Sequence, residues 1–494
     1  MLDKKVKFFS APAGRAQAAA RFGGAGDRKP AVGRDWRLTS VTRYFCAAAH
    51  DDIAFRDRVI EEYMEQKHRA IVVSDGVDMG LVLTHCLDAR QRIRTRHFLL
   101  WGLIAFSLLL AAILGPEDAI LAAIVYVSLA WAILFWSLWS EHRLVVNNFL
   151  KSNFNPYCVT YQPDDKAREA IESVTAAQQN RAVVYSGFTP FVGAGVALDG
   201  WSFVVDTQKA CQDLGPQRAV PFDARDLYGA IDECLNGINW QNAAVEDRVF
   251  VHGSDVTGDS RLLPDPTERP PAITDPSLID SYVDAASNSV RHYKHFRLVE
   301  WDGEMILSLF IRVTKPGRDL FVEANYFLLT PLRESFHKLD KINPRRVWKQ
   351  GLTTAFEALA LTVVWPLSAL QILGAVEKWR ERREIRARIQ EDATFDRGAV
   401  SSIREMYASN QYQRYFQKLD KEMYYKVLDR HVLDAIVDFL NDRNIDTSDL
   451  KQKQQYIMNA GVIVSGGGSV INQGAMSVGE GSRAKAAVAA GGKK

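Results

Sequence analysis

Cysteine is scarce in this chain of 494 residues, and it is scattered. Cys46, Cys86, Cys158, Cys211 and Cys234 form no CxxC pair and no Cys/His ligand spacing. Those spacings exclude a disulfide framework and a zinc site. An excess of charge of either sign is also missing. The 61 Lys and Arg stand against 59 Asp and Glu, a formal net charge of +2, so no nucleic-acid partner is expected. The basic, Ala- and Gly-rich first 40 residues lack an apolar h-region and do not read as a cleaved signal peptide. The local signatures of catalysis are absent too: there is no Gly-x-Ser-x-Gly, no HExxH and no Gly-Lys-Ser/Thr. No metal and no cofactor is expected.

What the chain does have is an apolar pair of runs at Phe98–Trp139. Phe98–Gly115 carries no charge in 18 residues and Ala119–Trp139 none in 21, with only Pro116, Glu117 and Asp118 between them. As helices they extend about 27 and 31 Å, close to the hydrocarbon thickness of a bilayer. A helix satisfies its own backbone polar groups, so two helices and a tight polar turn predict a transmembrane hairpin. Arg90, Arg92, Arg94 and Arg96 precede it, and Arg143 and Lys151 follow it. The positive-inside rule puts both long arms, and both termini, in the cytoplasm of a bacterial inner membrane, with the Arg row against lipid headgroups.

The fold class expected is a membrane protein with an α+β cytosolic domain. Residues 1–39 read as a disordered basic segment and 40–96 as a small helical or mixed domain. Within the latter, Thr42–Ala49 and Ile53–Gln66 have helical spacing, Asp51 or Asp52 is the N-cap candidate, and Ala70–Val73 reads as a short strand. After the hairpin (97–140) comes a helical connector (141–180). The largest block, 181–346, predicts strands at Ala182–Tyr185, Trp201–Val205 and Val245–Val251, with a helix at Phe222–Leu235. A three-strand meander follows: His292–Trp301, Met305–Lys315 and Leu320–Leu329, turning at Asp302-Gly303 and Pro316-Gly317.

Chemistry in that block is thin. Gly193-Ala-Gly195 follows a strand but leads into another strand, so a tight turn outweighs a phosphate loop. His292 and His295 sit three apart on a strand and face opposite sides, and nothing fixes the separation of His68 and His85. Glu300, Asp302 and Glu304 read as a solvated hairpin tip, and Asp255, Asp259 and Asp265 as loop residues without a calcium-loop pattern.

A second membrane contact is expected in 347–392. Thr353–Val376 is apolar but interrupted by Glu357 and broken at Trp365-Pro366. Basic residues flank both sides, including Lys378, Arg380, Arg382 and Arg383, which lie where headgroups would attract them. A re-entrant or in-plane pair of half-helices keeps both flanks on one side; a third crossing and a buried soluble helix are the alternatives. Residues 393–450 read as an amphipathic helical region in which Met423, Val427, Val432, Ile436, Val437 and Leu440 form one stripe. The final segment, 451–494, repeats an Asn-x-Gly pattern at Asn459/Gly461 and Asn472/Gly474, like rungs of a small β-roll. Two rungs bury too little alone, so pairing with a second copy is expected.

Arg43–Ala49, Ser186–Gly193, Trp201–Val205, Val245–Val251 and the Asn-x-Gly tail resemble membrane-anchored proteins of actinobacterial type, for which no activity is established. The resemblance implies an inner-membrane setting and supplies no functional residues. The function expected is a non-enzymatic, membrane-anchored sensor or scaffold for an unidentified cytosolic protein. Its variant is an oligomerising effector that perturbs the membrane in a bacterial conflict system. The alternative is a membrane-tethered enzyme with its site in 181–346; a transporter ranks third.

Overall fold

Side-chain caps start the first two helices. Thr39 accepts the N–H of Thr42 at the head of α1 (Ser40–Asp51), and Asp52 accepts from Ala54 and Phe55 at the head of α2 (Ile53–Ile60). Each oxygen satisfies donors that a helix start leaves unpaired. A computed structural model describes residues 38–114, 119–210, 218–266, 268–283, 289–365, 395–452 and 454, with 380–381, 383–385 and 387–389. It divides into two compact units. One comprises Met1–Asp199, Ile238–Phe310 and Asn325–Gln417; the other comprises Gly200–Gly237, Ile311–Ala324 and Lys418–Lys494.

In the first unit, α3 (Met79–Leu114) and α4 (Ala119–Asn148) are the two longest helices, about 54 and 45 Å by their 36 and 30 residues. Both are long and apolar enough to cross a membrane, and protein covers almost none of their apolar stretches. Phe98, Phe106, Leu108, Ile113, Ile120 and Trp136 are among the large side chains left exposed. Away from those stretches, the start of α3 and the end of α4 pack with α1 and α2 around Phe45, Phe55, Leu83 and Phe149. Arg43 and Tyr44 of α1 both bond the Asp340 carboxylate, at 2.7 and 2.6 Å. Ala70–Val73, expected as a strand, is an extended loop instead. Its Ala70 N–H goes to the Arg397 carbonyl, so no ladder forms there.

Helix α5 (Asp165–Ala177), capped by Asp164, leads to the sheet. Its strands are β1 (Ala182–Tyr185), β2 (Val196–Ala197), β3 (Trp201–Asp206), β4 (Ala243–His252), β5 (Val290–Glu300), β6 (Met305–Thr314) and β7 (Asp319–Leu329). The order is β1-β4-β5-β6-β7-β2, and β3 also pairs with β7. Strand β1 runs parallel to β4 while β4 and β5 are antiparallel. The meander is present as expected, because two tight turns leave β5, β6 and β7 no room for a crossover. At the first turn Trp301, Asp302 and Gly303 all have positive φ. This tip is not solvated, contrary to expectation. Asp302 accepts the N–H and hydroxyl of Ser40, and Glu304 is buried against His337 at 3.0 Å. In the first unit the core on the sheet centres on Phe191, stacked on Phe310 at 4.5 Å and flanked by Phe250, Tyr293 and Phe327.

The second unit contains α6 (Ala224–Gly237) and most of the long helix Tyr415–Asn441. Leu227, Tyr228, Ile231 and Leu235 form the buried stripe of α6, and the Tyr228 hydroxyl accepts the Val313 N–H at 2.8 Å. On the long helix four members of the expected stripe, Val432, Ile436, Val437 and Leu440, are buried, with neighbouring Phe439 against Phe222, whereas Val427 is half-buried and Met423 exposed. The Trp201 indole N–H donates to Asp429 at 2.6 Å.

Candidate functional site

After the short helices α7 (Pro276–Ser281) and α8 (Glu334–His337), helix α9 (Val347–Val364) inverts the usual amphipathic pattern. Its buried positions are Thr354, Ala358, Thr362 and then Trp365, spaced four, four and three apart, so they line one face. Leu352, Phe356, Leu359, Val363 and Val364 are exposed. The helix thus turns small and hydroxylic residues toward protein and large apolar residues outward. The Thr362 hydroxyl is satisfied inside the helix by the Ala358 carbonyl at 2.8 Å.

The buried face lies on the apolar halves of α3 and α4. Ala358 and Trp365 share a core with Leu100, Ala130 and Leu134. Trp365 meets Trp101 edge-on at 5.4 Å, and the Trp131 indole N–H donates to the Ala355 carbonyl at 3.1 Å. Along α4 the rings of Trp131, Phe135, Trp139 and His142 stack in sequence at 5.5, 6.2 and 6.3 Å. Gly351 lies against Trp139, where an added Cβ would stand 3.5 Å from the ring. The chain advances about 21 Å between Gly351 and Trp365 at helical rise. The second-contact segment is thus a single helix up to Trp365, where the hairpin covers it. Small residues at four-residue spacing were the sequence signal for that contact.

Where the apolar stretches end, α3, α4 and the segment at Thr160–Gln162 line an open cavity of about 830 Å³. Its floor carries Asp88, Arg92 and Arg96 of α3 and Glu141 of α4; Leu99, Ile133 and Trp136 line the part toward the apolar stretches. Arg92 bonds Asp88 at 2.7 Å. Arg96 reaches Ser137 Oγ at 3.5 Å, and that hydroxyl donates to Glu141 at 3.3 Å. The Nε–H of Arg96 is buried and finds no acceptor among the described residues. Sequence reading missed Ser137, inside the second apolar run, and Glu141, the first charged residue after it.

The expected site residues fall as follows. Arg90 pairs with Glu65 at 3.7 Å, while Arg94, Arg380 and Arg383 are exposed. Glu357 is exposed on α9 and Trp365 is buried. The hairpin turn (Pro116, Glu117, Asp118), Pro366, Lys378, Arg382 and the tail positions Asn459, Gly461, Asn472 and Gly474 lie outside the described residues.

Elsewhere in the first unit, polar groups hold loops together. Gly193 and Gly195, both at positive φ, present their N–H groups to the Glu405 carboxylate at 2.9 and 3.2 Å. That turn does bind an anion, and the anion is the chain's own. Ser254 bonds both His252 and Asp255, so the carboxylate holds the serine rather than the histidine, the reverse of a nucleophile–base–carboxylate relay. His292 bonds Asp247 and His295 bonds Glu246, so they serve separate carboxylates. On the inner side Asp75, Arg297, Arg248, Glu246 and His295 form a buried ion cluster, with Arg248 on Glu246 at 2.6 Å and Arg297 on Asp75. The nearby arginines hold Asp75 and Glu246 below the usual carboxylate range even though burial opposes ionisation. His85 pairs with His50 at 3.1 Å and not with His68; burial draws the pKa of His50 well below its ordinary value. Among the described residues no group of three or more His, Cys, Asp or Glu side chains could hold a metal.

No curated protein and no solved structure matches the chain. Comparison with protein families matches residues 200–472 to the AbeC-like domain. The matched stretch begins where the second unit begins and takes in the meander and α9, whereas α3 and α4 precede it. Of the phrases behind the actinobacterial resemblance, Arg43–Ala49 and Ser186–Gly193 fall outside the match. With more than half of its length matched, the chain belongs to the AbeC-like family, a family of abortive-infection type.

Proposed function

We propose that this protein is an abortive-infection effector of the bacterial inner membrane, in which α3, α4 and α9 sit in lipid and the remaining domains are cytoplasmic. The observation that carries the reading is the inverted face of α9: Leu352, Phe356, Leu359 and Val363 outward, Thr354, Ala358 and Thr362 against the hairpin. Covering those outward side chains with water would cost about 1.5–3 kcal/mol each relative to burying them, and lipid removes that cost. Family membership supports an anti-phage role. The helix within the family match leans on a hairpin outside it, so a signal received by the cytoplasmic domain has a direct mechanical route to the lipid-facing bundle. Self-association through the tail after a phage trigger would gather several bundles and breach the membrane, while the untriggered chain serves as an anchored sensor.

The test places a charge on the outward face. In bacteria carrying the induced gene, the intact chain should stay with membranes after alkaline carbonate washing and depolarise the cell on triggering or strong overexpression. Leu359→Arg puts a guanidinium into hydrocarbon at about 2.5–3.5 kcal/mol, and should abolish depolarisation. A chain that washes free, or a Leu359→Arg variant as active as the parent at equal abundance, would overturn the proposal.

A further inference from the structure

We propose that the cavity between α3 and α4 binds a phospholipid with a zwitterionic, ammonium-bearing headgroup. The inference rests on the membrane placement proposed above, and it adds a lipid class and a site.

The walls of the cavity change character along the helix axes. Asp88 to Leu99 is eleven residues, about 16 Å, and runs from charged to apolar lining. The headgroup region of one leaflet is about 5–8 Å deep. The cavity therefore has room for a headgroup at the Arg96–Glu141 level and for the first methylenes beside Leu99, Ile133 and Trp136.

Charge decides which headgroup. Two guanidinium groups, Arg92 and Arg96, face two carboxylates, Asp88 and Glu141, so the floor is neutral as a whole and bipolar in detail. A purely anionic headgroup would gain the arginines and meet both carboxylates. A phosphate with a tethered ammonium meets both signs. Arg92 is already bonded to Asp88, whereas Arg96 holds only a 3.5 Å contact to Ser137. Arg96 is thus the guanidinium with donors to spare for a phosphate, and Glu141, bonded to Ser137 at 3.3 Å, is the carboxylate beside it for the ammonium. Free phosphate or a nucleotide would leave the apolar wall uncovered.

The experiment is native mass spectrometry of the full chain, delipidated in mild detergent and titrated with phosphatidylethanolamine, phosphatidylglycerol or cardiolipin. The intact chain should prefer phosphatidylethanolamine. Arg96→Gln should weaken that binding about tenfold, the loss of one charge-assisted contact. Glu141→Gln should weaken phosphatidylethanolamine and leave phosphatidylglycerol unchanged or tighter, while Arg94→Gln on the exposed side should change neither. Equal or tighter binding of the anionic lipids by the intact chain, or full affinity in Arg96→Gln, would overturn the proposal. The lipid preference of the intact chain decides the matter even where a variant fails to fold. A chain that leaves membranes in carbonate defeats the membrane placement itself; one that stays but shows no ethanolamine preference defeats only this site.

Discussion

The indole N–H of Trp131 donates to the backbone carbonyl of Ala355 at 3.1 Å, tying the middle of α4 to α9 across 224 residues of sequence. A carbonyl inside a helix already serves the turn after it, so this one accepts a second bond. The contact lies beside the face of α9 on which Ala358 is buried, while Leu359 is exposed.

Trp131→Phe keeps the ring stacked on Phe135 and removes the donor. Loss of the hydrogen bond should cost about 0.5–1.5 kcal/mol. A titration of the detergent-solubilised chain with dodecyl sulfate, followed by helicity, should reveal a lower midpoint of that size. No shift would mean that packing at Ala358 and Trp365 alone seats the helix.

The loop at Gly193–Gly195 should tolerate almost nothing. A Cβ on Gly195 would lie 2.4 Å from the Leu328 carbonyl oxygen at a φ of +90°, so Gly195→Ala must displace β7 or the loop. We expect a loss above about 3 kcal/mol, the mark of strain at a special backbone position. Glu405→Gln should be milder, about 1.5–3 kcal/mol, because one neutral oxygen replaces a carboxylate that accepts from Gly193, Gly195 and Ser401. Urea unfolding of both variants checks the order; a Gly195→Ala as stable as the parent would contradict the strained loop.

Acid should weaken the first unit through His295. Burial, with Arg248 close by, draws its pKa from 6.5 to about 4. The unfolded chain then takes up the proton first, so this contribution is complete above pH 6.5 and declines as the pH falls toward 4. The interval corresponds to roughly 3 kcal/mol. Below it, Glu246 and Asp75, whose folded pKa values are depressed, add losses of the same sign as they are protonated. Urea midpoints at pH 7, 5.5 and 4.5 should fall in that order, and His295→Gln should flatten the upper part of the profile.

Removal of residues 457–494 tests self-association. The truncated chain, solubilised in detergent, should have a smaller mass by light scattering than the intact one after the detergent is subtracted, by whole protomers and not merely by the missing tail. An unchanged number of protomers would remove the tail from any assembly step.

Local signals were legible. Asp52 as a cap, the meander with its Asp302-Gly303 turn, α6 and the two uncharged runs all follow from residues close together in the chain. Distant pairings were not. Strand β1 finds its parallel partner β4 more than sixty residues later, after two other strands and α6. Asp302 is a case of the right turn with the wrong surroundings: its type and position announce a hairpin tip, and nothing nearby announces that Ser40 will be waiting there. Ala70–Val73 fails for the opposite reason. Its β-branched residues suit a strand, but the segment beside it is the loop at Arg397.

The sequence by itself determined that two long helices would be apolar enough to cross a membrane, because an unbroken run without charge offers no charged face at any rotation. It also determined that a three-stranded meander would form, since its turns are encoded in adjacent residues. Only the tertiary structure decided which face of α9 turns inward and that the glycine turn grips Glu405. The arrangement of Arg96 and Glu141 around one cavity was likewise beyond the sequence. Each of these depends on side chains brought together from separate parts of the chain, where packing and hydrogen-bond geometry, not local preference, select the partner.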